Sequence, residues 1–226
     1  MPSRRALVIG HDHVAGLGLL GPVLRARGVG IDWFRVVPAE RFGTPDVDVR
    51  FPDPARWDLV VTLGAPWPRE RIRGWAGAEA AFLRRAHDGG VGVLAICFGA
   101  QLLAETLGGG TRPLDEPRIG WFDVAPSPGS GIGAGPWFCW NSEQLVPPPG
   151  ATVLATGRDG CAAFAVGRST GLQFHPEMDG ALLTRWLGLG APDGVDPDGL
   201  RAATAENEHR AAPAAAALLA ALLDDA

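Results

Sequence analysis

Through the first half of the chain, short apolar runs alternate with stretches whose apolar residues recur every three or four positions. Ala6 to Ile9, Ile31 to Val36, Leu59 to Leu63 and Val91 to Ile96 read as strands. Residues 16–27 read as a helix, with Leu17, Leu20, Val23 and Leu24 at helical spacing and Gly28 as its stop. Residues 75–88 carry Ala76, Ala80, Leu83 and Ala86 on one side of a second helix. Gln101 to Leu107 forms a third, closed by Gly108-Gly109-Gly110. Strands that alternate with crossover helices predict a parallel sheet in an α/β fold.

The second half carries a different pattern. Trp121 to Val124, Trp137 to Trp140, Thr152 to Thr156 and Ala162 to Val166 read as short antiparallel or mixed strands, punctuated by Gly and Pro over 125–136 and 147–150. Leu172-Gln173-Phe174 is one more strand, running into His175-Pro176-Glu177, and 181–188 reads as helical. The chain is loop-like from Gly190 to Asp198. Residues 199–226 form one or two helices, broken near Pro213. This organisation predicts one domain over 1–190 with a helical extension over 191–226 packed on it.

Composition narrows the function classes. The chain has 226 residues, of which 46% are hydrophobic, enough for a sizeable core. The net charge is −5 and the cations are scattered, so there is no Lys/Arg stripe for nucleic acid or an anionic membrane. No apolar stretch approaches the ~20 residues of a membrane span, and the run after Arg5 is too short for a signal-peptide core. Cys97, Cys139 and Cys161 are widely spaced and form neither a disulfide framework nor a metal-type pair. A reduced, cytoplasmic setting is expected.

Cys97 carries the chemistry. It stands between the apolar strand 91–96 and the following helix, in Ala95-Ile96-Cys97-Phe98-Gly99-Ala100-Gln101. A strand turning sharply into a helix lifts the intervening side chain above the sheet on a strained backbone. Small residues Ala95, Gly99 and Ala100 allow the close approach this needs. The helix N-terminus supplies positive potential that favours a thiolate, and its free N–H groups can hold an oxyanion. Cys139 and Cys161 lack that context and read as small buried hydrophobes.

A thiol nucleophile needs an imidazole to exchange its proton, and the imidazole needs a carboxylate to fix its tautomer. His175 follows a strand, at the carboxyl edge where open α/β sheets assemble their sites. Glu177, two residues on, can point the same way across the stiff Pro176.

These residues resemble the class I glutamine amidotransferases. Ile96-Cys97-Phe98-Gly99-Ala100-Gln101-Leu102-Leu103-Ala104 with Leu107-Gly108-Gly109, and Gln173-Phe174-His175-Pro176-Glu177, are similar to the two signatures of that family. Gly64-Ala65-Pro66 falls where the family carries its oxyanion-strand Gly-Gly-Pro. Ile119-Gly120-Trp121-Phe122 is similar to a segment of stand-alone, GMP-synthase-like members. The resemblance implies a flavodoxin-like, mostly parallel sheet flanked by helices and a triad of Cys97, His175 and Glu177. It implies an oxyanion hole from the backbone N–H of Phe98 and of the Gly64/Ala65 turn, and a substrate-binding role for Gln101. The implied reaction removes ammonia from glutamine through a Cys97 thioester, with no metal or organic cofactor.

Three departures bear on this reading. Ala95 stands where the family usually has Gly. Ala65 replaces a Gly, which costs roughly 1 kcal/mol if that position requires φ > 0. Asn141 and Glu143, in a loop reading Trp140-Asn141-Ser142-Glu143, replace the His and Asp common in related proteins.

Other features read more simply. His11-Asp12-His13 is a polar turn rather than a metal pair, since no third ligand is in view. The eight Trp residues serve core and interface packing. The region from Glu70 to Glu79 reads as a solvated helix face. The expected partner is a synthetase or acceptor protein on another chain that uses the ammonia. A self-sufficient γ-glutamyl hydrolase and a catalytically silent regulatory module of the same fold are the alternatives.

Overall fold

The computed structural model describes residues 4–224. Its strands in chain order are β1 (Arg5–Gly10), β2 (Gly30–Arg35), β3 (Leu59–Thr62), β4 (Gly92–Ile96), β5 (Gly110–Phe122), β6 (Ala125–Pro126), β7 (Trp137–Val146), β8 (Thr152–Gly157), β9 (Gly160–Val166) and β10 (Ser169–Leu172). The helices are α1 (Leu20–Ala26), α2 (Arg73–Asp88), α3 (Phe98–Thr106), α4 (Gly180–Leu187) and α5 (Pro197–Asp224). Strands β2, β1, β3, β4 and β10 lie side by side and parallel. The sheet continues through β9, β7 and β5, all antiparallel to their neighbours, while β8 also pairs with β9 and β6 pairs with β8. The architecture is a flavodoxin-like α/β fold whose parallel half matches the expected pattern.

Two apolar layers enclose the parallel strands. Ala6, Val8, Val61, Leu94 and Ile96 pack on one face against Leu20 and Leu24 of α1 and Leu218, Leu219 and Leu223 of α5. Leu7, Ile9, Val60, Val93 and Ala95 face the other way, against Trp75, Phe82 and Leu83 of α2 and Leu102 and Leu103 of α3. Burial on both faces explains why these strands read as unbroken apolar runs.

Several expected boundaries move. α1 starts at Leu20, not at 16, because Gly18 takes φ +40° and the preceding residues run as a loop. β5 is far longer than the expected Trp121–Val124, and pairing with β7 recruits polar residues such as Arg112 and Arg118 that carry no strand periodicity. The Trp140-Asn141-Ser142-Glu143 segment lies inside β7 rather than in a loop. α5 is one helix that runs through Pro213 instead of breaking there. Its apolar face lies on the same core as α1, and that packing outweighs the one backbone bond Pro213 removes. The last two positions of the expected 199–226 helix fall outside the described residues.

Candidate active site

β4 ends at Ile96 and α3 begins at Phe98, so the whole turn between them is Cys97. Cys97 has φ 53° and ψ −109° and, among the described residues, is the one non-glycine with positive φ. Such a conformation costs about 1–3 kcal/mol and persists only where the surroundings enforce it. Here the Cys97 N–H donates to the Leu172 carbonyl at 2.7 Å and its C=O accepts from the Gln101 N–H at 3.0 Å. The Gly99 N–H donates to the Leu63 carbonyl at 3.2 Å. A Cβ on Gly99 would lie 2.7 Å from both Cγ2 and the carbonyl oxygen of Thr62, so only glycine lets α3 press this close to β3. That close approach starts the helix at Phe98, ahead of the expected Gln101.

β10 ends at Leu172, short of the expected Leu172–Phe174 strand, and Gln173 to Glu177 extend beyond it. The His175 N–H donates to the Phe138 carbonyl at 2.7 Å, which clamps the extension to β7. The His175 ring is buried, with the Trp186 ring edge-on at 4.9 Å. Its Nδ1 lies 2.7 Å from Glu177 Oε1, and both side chains are at most 2% exposed. Burial alone would lower the His175 pKa, but the charge of Glu177, then that of Cys97, and the hydrogen bond to Glu177 outweigh it and push it up to about 10. Among the described residues, His175 Nε2 has no hydrogen-bond partner. The structure therefore brings Cys97, His175 and Glu177 into one buried cluster at the carboxyl edge of β4 and β10.

The loop after β3 closes over this cluster. A methyl group on Gly64 would sit 3.0 Å from His175 Cε1 and 3.7 Å from Cys97 Cβ, so the turn lies directly against both. Ala65 does not have positive φ, and the strain considered for an alanine there does not arise. Among the described residues, neither the Ala65 nor the Phe98 N–H finds a backbone acceptor. Gln101 is buried, and its Nε2 lies 3.5 Å from Gln173 Oε1, while Gln173 Nε2 lies 3.8 Å from Cys97 Sγ. Gln101 thus meets the thiol through Gln173, a residue the sequence presented only as part of a motif. The Trp140 carbonyl lies 3.8 Å from Cys97 Sγ, and Asn141 Nδ2 donates to the Glu143 carbonyl at 2.8 Å.

Two further readings change. Glu79 is fully buried rather than on a solvated face, and its Oε2 lies 2.9 Å from Nε2 of the equally buried His11. His11 and His13 diverge, since His13 is exposed beside the Phe42 ring. A lone Glu among small residues at helical spacing was the one available signal for Glu79. Cys139 and Cys161 are buried thiols that burial pushes up to about 12 and about 11, far from a reactive thiolate at neutral pH.

A doubly wound α/β sheet thus carries a buried thiol, imidazole and carboxylate at the carboxyl edge of β4 and β10. The family described as glutamine amidotransferase class-I matches residues 55–183, more than half of the chain, and the chain belongs to that family. The chain is 38% identical over 98 residues to the glutamine-hydrolyzing GMP synthase of Thermomicrobium roseum, covering 40% of this chain and 19% of that protein. It thus spans about a fifth of the length of such relatives. It is 29% identical to a separate glutamine-hydrolyzing GMP synthase subunit from Sulfolobus acidocaldarius, over 60% of this chain and 74% of that one. The crystal structure of a glutamine amidotransferase from Thermotoga maritima superposes with a TM-score of 0.83 at 23% identity, covering 98% of this chain and 99% of the other. Among the described residues, no helix is long and apolar enough to cross a membrane.

Proposed function

We propose that this chain is a glutaminase that releases ammonia from the side-chain amide of glutamine for a synthetase on a separate chain. The observation that carries the reading is the buried His175 ring, held at Nδ1 by Glu177 and left with its Nε2 unpartnered beside Cys97 on a strained turn. Family membership and the similarity to a glutamine-hydrolyzing GMP synthase subunit support the substrate and the separate partner.

In this mechanism the Cys97 thiolate attacks the amide carbon of glutamine. The tetrahedral oxyanion accepts from the N–H groups of Ala65 and Phe98, both unengaged by backbone carbonyls. The His175 imidazolium, which its raised pKa keeps populated at neutral pH, gives its proton to the departing nitrogen, and ammonia leaves. Neutral His175 then takes a proton from water, the hydroxide attacks the thioester, and glutamate departs as the thiolate reforms. Glu177 accepts from Nδ1–H throughout and fixes the tautomer. Gln101 acts through Gln173, whose amide orients groups beside the sulfur.

The test is a panel of γ-glutamyl amides and peptides assayed for ammonia and glutamate, with and without proteins that co-purify. Ammonia from free glutamine, enhanced by a partner, is the expected result. Hydrolysis of γ-glutamyl peptides in preference to glutamine, with no partner effect, would instead identify a self-sufficient hydrolase. Cys97→Ser should abolish turnover while the fold and melting temperature persist. Retained turnover would remove Cys97 from its role.

A further inference from the structure

The buried pair of His11 and Glu79 is left unused by the mechanism above, yet it reaches the oxyanion turn directly. His11 follows β1 immediately, and its side chain is fully inaccessible. Its Nδ1 lies 2.9 Å from the Gly64 carbonyl oxygen, and its Nε2 lies 2.9 Å from Glu79 Oε2. Thr62 Oγ1 donates to the other Glu79 oxygen at 2.6 Å. The imidazole stacks on Trp75 at 5.1 Å and meets the Phe98 ring edge-on at 5.0 Å.

Proton counting limits what this network can be. The Gly64 carbonyl only accepts, so His11 Nδ1 must carry a proton. The Thr62 hydroxyl donates to Glu79, which leaves one proton to share between Glu79 Oε2 and His11 Nε2. Whether that proton sits on the ring or on the carboxyl, Nδ1–H stays aimed at Gly64. Replacing His11 by an apolar residue removes this hold on Gly64, and replacing Glu79 removes what holds the other side of the ring.

Holding the Gly64 carbonyl fixes a second group. The Gly64–Ala65 peptide is planar and trans, so its N–H points opposite to its C=O. A Gly64 carbonyl turned toward His11 turns the Ala65 N–H away from it. The same imidazole packs on Phe98, the residue whose N–H is the other candidate oxyanion donor.

We infer that His11, held by Glu79 and Thr62, is a positioning residue that aims the Ala65 N–H and the Phe98 turn at the oxyanion formed on Cys97. This assignment rests on the thioester reading proposed above. His11 touches no reacting atom. Its role is to keep the loop over 63–68 from turning its peptide when charge develops in the transition state.

The test pairs two variants. His11→Leu/Glu79→Leu removes both polar partners without stranding a buried charge, and Glu79→Gln keeps the geometry. In Glu79→Gln the side-chain amide donates to His11 Nε2 and its carbonyl accepts from Thr62, which enforces the Nδ1–H tautomer. Three readouts are taken on each folded variant: kcat and KM for ammonia release, the rate at which iodoacetamide alkylates Cys97, and the amide order parameter of Ala65. Alkylation at a saturated carbon develops no oxyanion, so it reports the thiolate alone. The double variant should lose at least about tenfold in kcat with little change in KM, since losing an oxyanion donor outright costs about 100- to 1,000-fold. Its alkylation should stay within twofold of wild type. Its Ala65 order parameter should fall from about 0.85 toward 0.6. Glu79→Gln should stay within threefold of wild type throughout. Unchanged kcat in the double variant, or a parallel loss of kcat and alkylation, overturns the proposal. Should the wild-type chain release no ammonia from any γ-glutamyl compound, the functional reading fails by itself. The order parameter of Ala65 then decides the pinning alone, and an unchanged value overturns it.

Discussion

Gly18 to Ala is the substitution whose effect can be worked furthest from the structure. Gly18 has φ +40° and packs against the backbone of Glu177, and the neighbouring Leu19 N–H donates to the Glu177 carbonyl at 3.0 Å. A Cβ on residue 18 would lie 1.8 Å from that carbonyl oxygen. An unstrained carbon–oxygen contact needs about 3.3 Å, so the loop and the Glu177 segment must separate by about 1.5 Å. The positive φ adds roughly 1 kcal/mol for an alanine. Losing the Leu19 hydrogen bond adds about 1 kcal/mol, and repacking a tight contact about 1–3 kcal/mol. Together these predict a loss of about 3–5 kcal/mol, which for a domain of this size lowers Tm by about 10 °C. Because the displaced segment carries the carboxylate that orients His175, a shift above 1 Å predicts a loss of about 100-fold in kcat/KM for ammonia release. Calorimetry and a coupled glutamate assay measure the two effects on the same preparation. A variant that melts within about 2 °C of wild type and turns over within about threefold of it would refute the argument that Glu177 is held through Gly18.

Three further outcomes follow from the same coordinates. Glu177→Gln puts an amide where Nδ1–H needs an acceptor, favouring the wrong His175 tautomer, and should lower kcat by about 100- to 10,000-fold in a variant that still folds but melts lower, since the buried imidazolium loses its countercharge; near-wild-type turnover would contradict the orienting role. With the folded pKa of His175 raised to about 10 from 6.5, its stabilisation is complete below about pH 6.5 and is lost as pH rises through about 10. The buried Cys139 and Cys161 act in the same direction, because above about pH 9 the unfolded chain ionises these thiols first. The urea midpoint should therefore fall between pH 7 and pH 10, less steeply in His175→Gln, and a flat or rising midpoint in the wild type would be inconsistent with the buried charged cluster. Pro213 is exposed within the continuous α5, so Pro213→Ala restores a helical N–H and should raise stability by about 1–3 kcal/mol in chemical denaturation; a destabilised variant would mean the helix needs the proline's shape.

The parallel half of the sheet was legible because its strands are covered on both faces and so appear as unbroken apolar runs. Cys97, His175 and Glu177 were legible for a local reason. Each sits in a short motif whose spacing constrains backbone geometry, an elbow in one case and a strand extension with a two-residue offset in the other. β5 was only partly legible, because it borrows its strand character from β7 and carries no period of its own. Gln173, known in the sequence only as one letter of a motif, acquires a position beside the sulfur when β4 and β10 pair.

Chain order therefore decided the candidate triad and most of the element types, since turn sterics and burial periodicity act over a few residues. Tertiary structure decided which distant side chains support that chemistry. Glu79 looks like any surface glutamate on a helix until α2 packs on the sheet and seals it against His11, 68 positions away. Gly18 falls inside the helix expected over 16–27 until the fold presses it onto the backbone of Glu177. Such contacts are set by packing between elements, and no local pattern along a chain records which elements will meet.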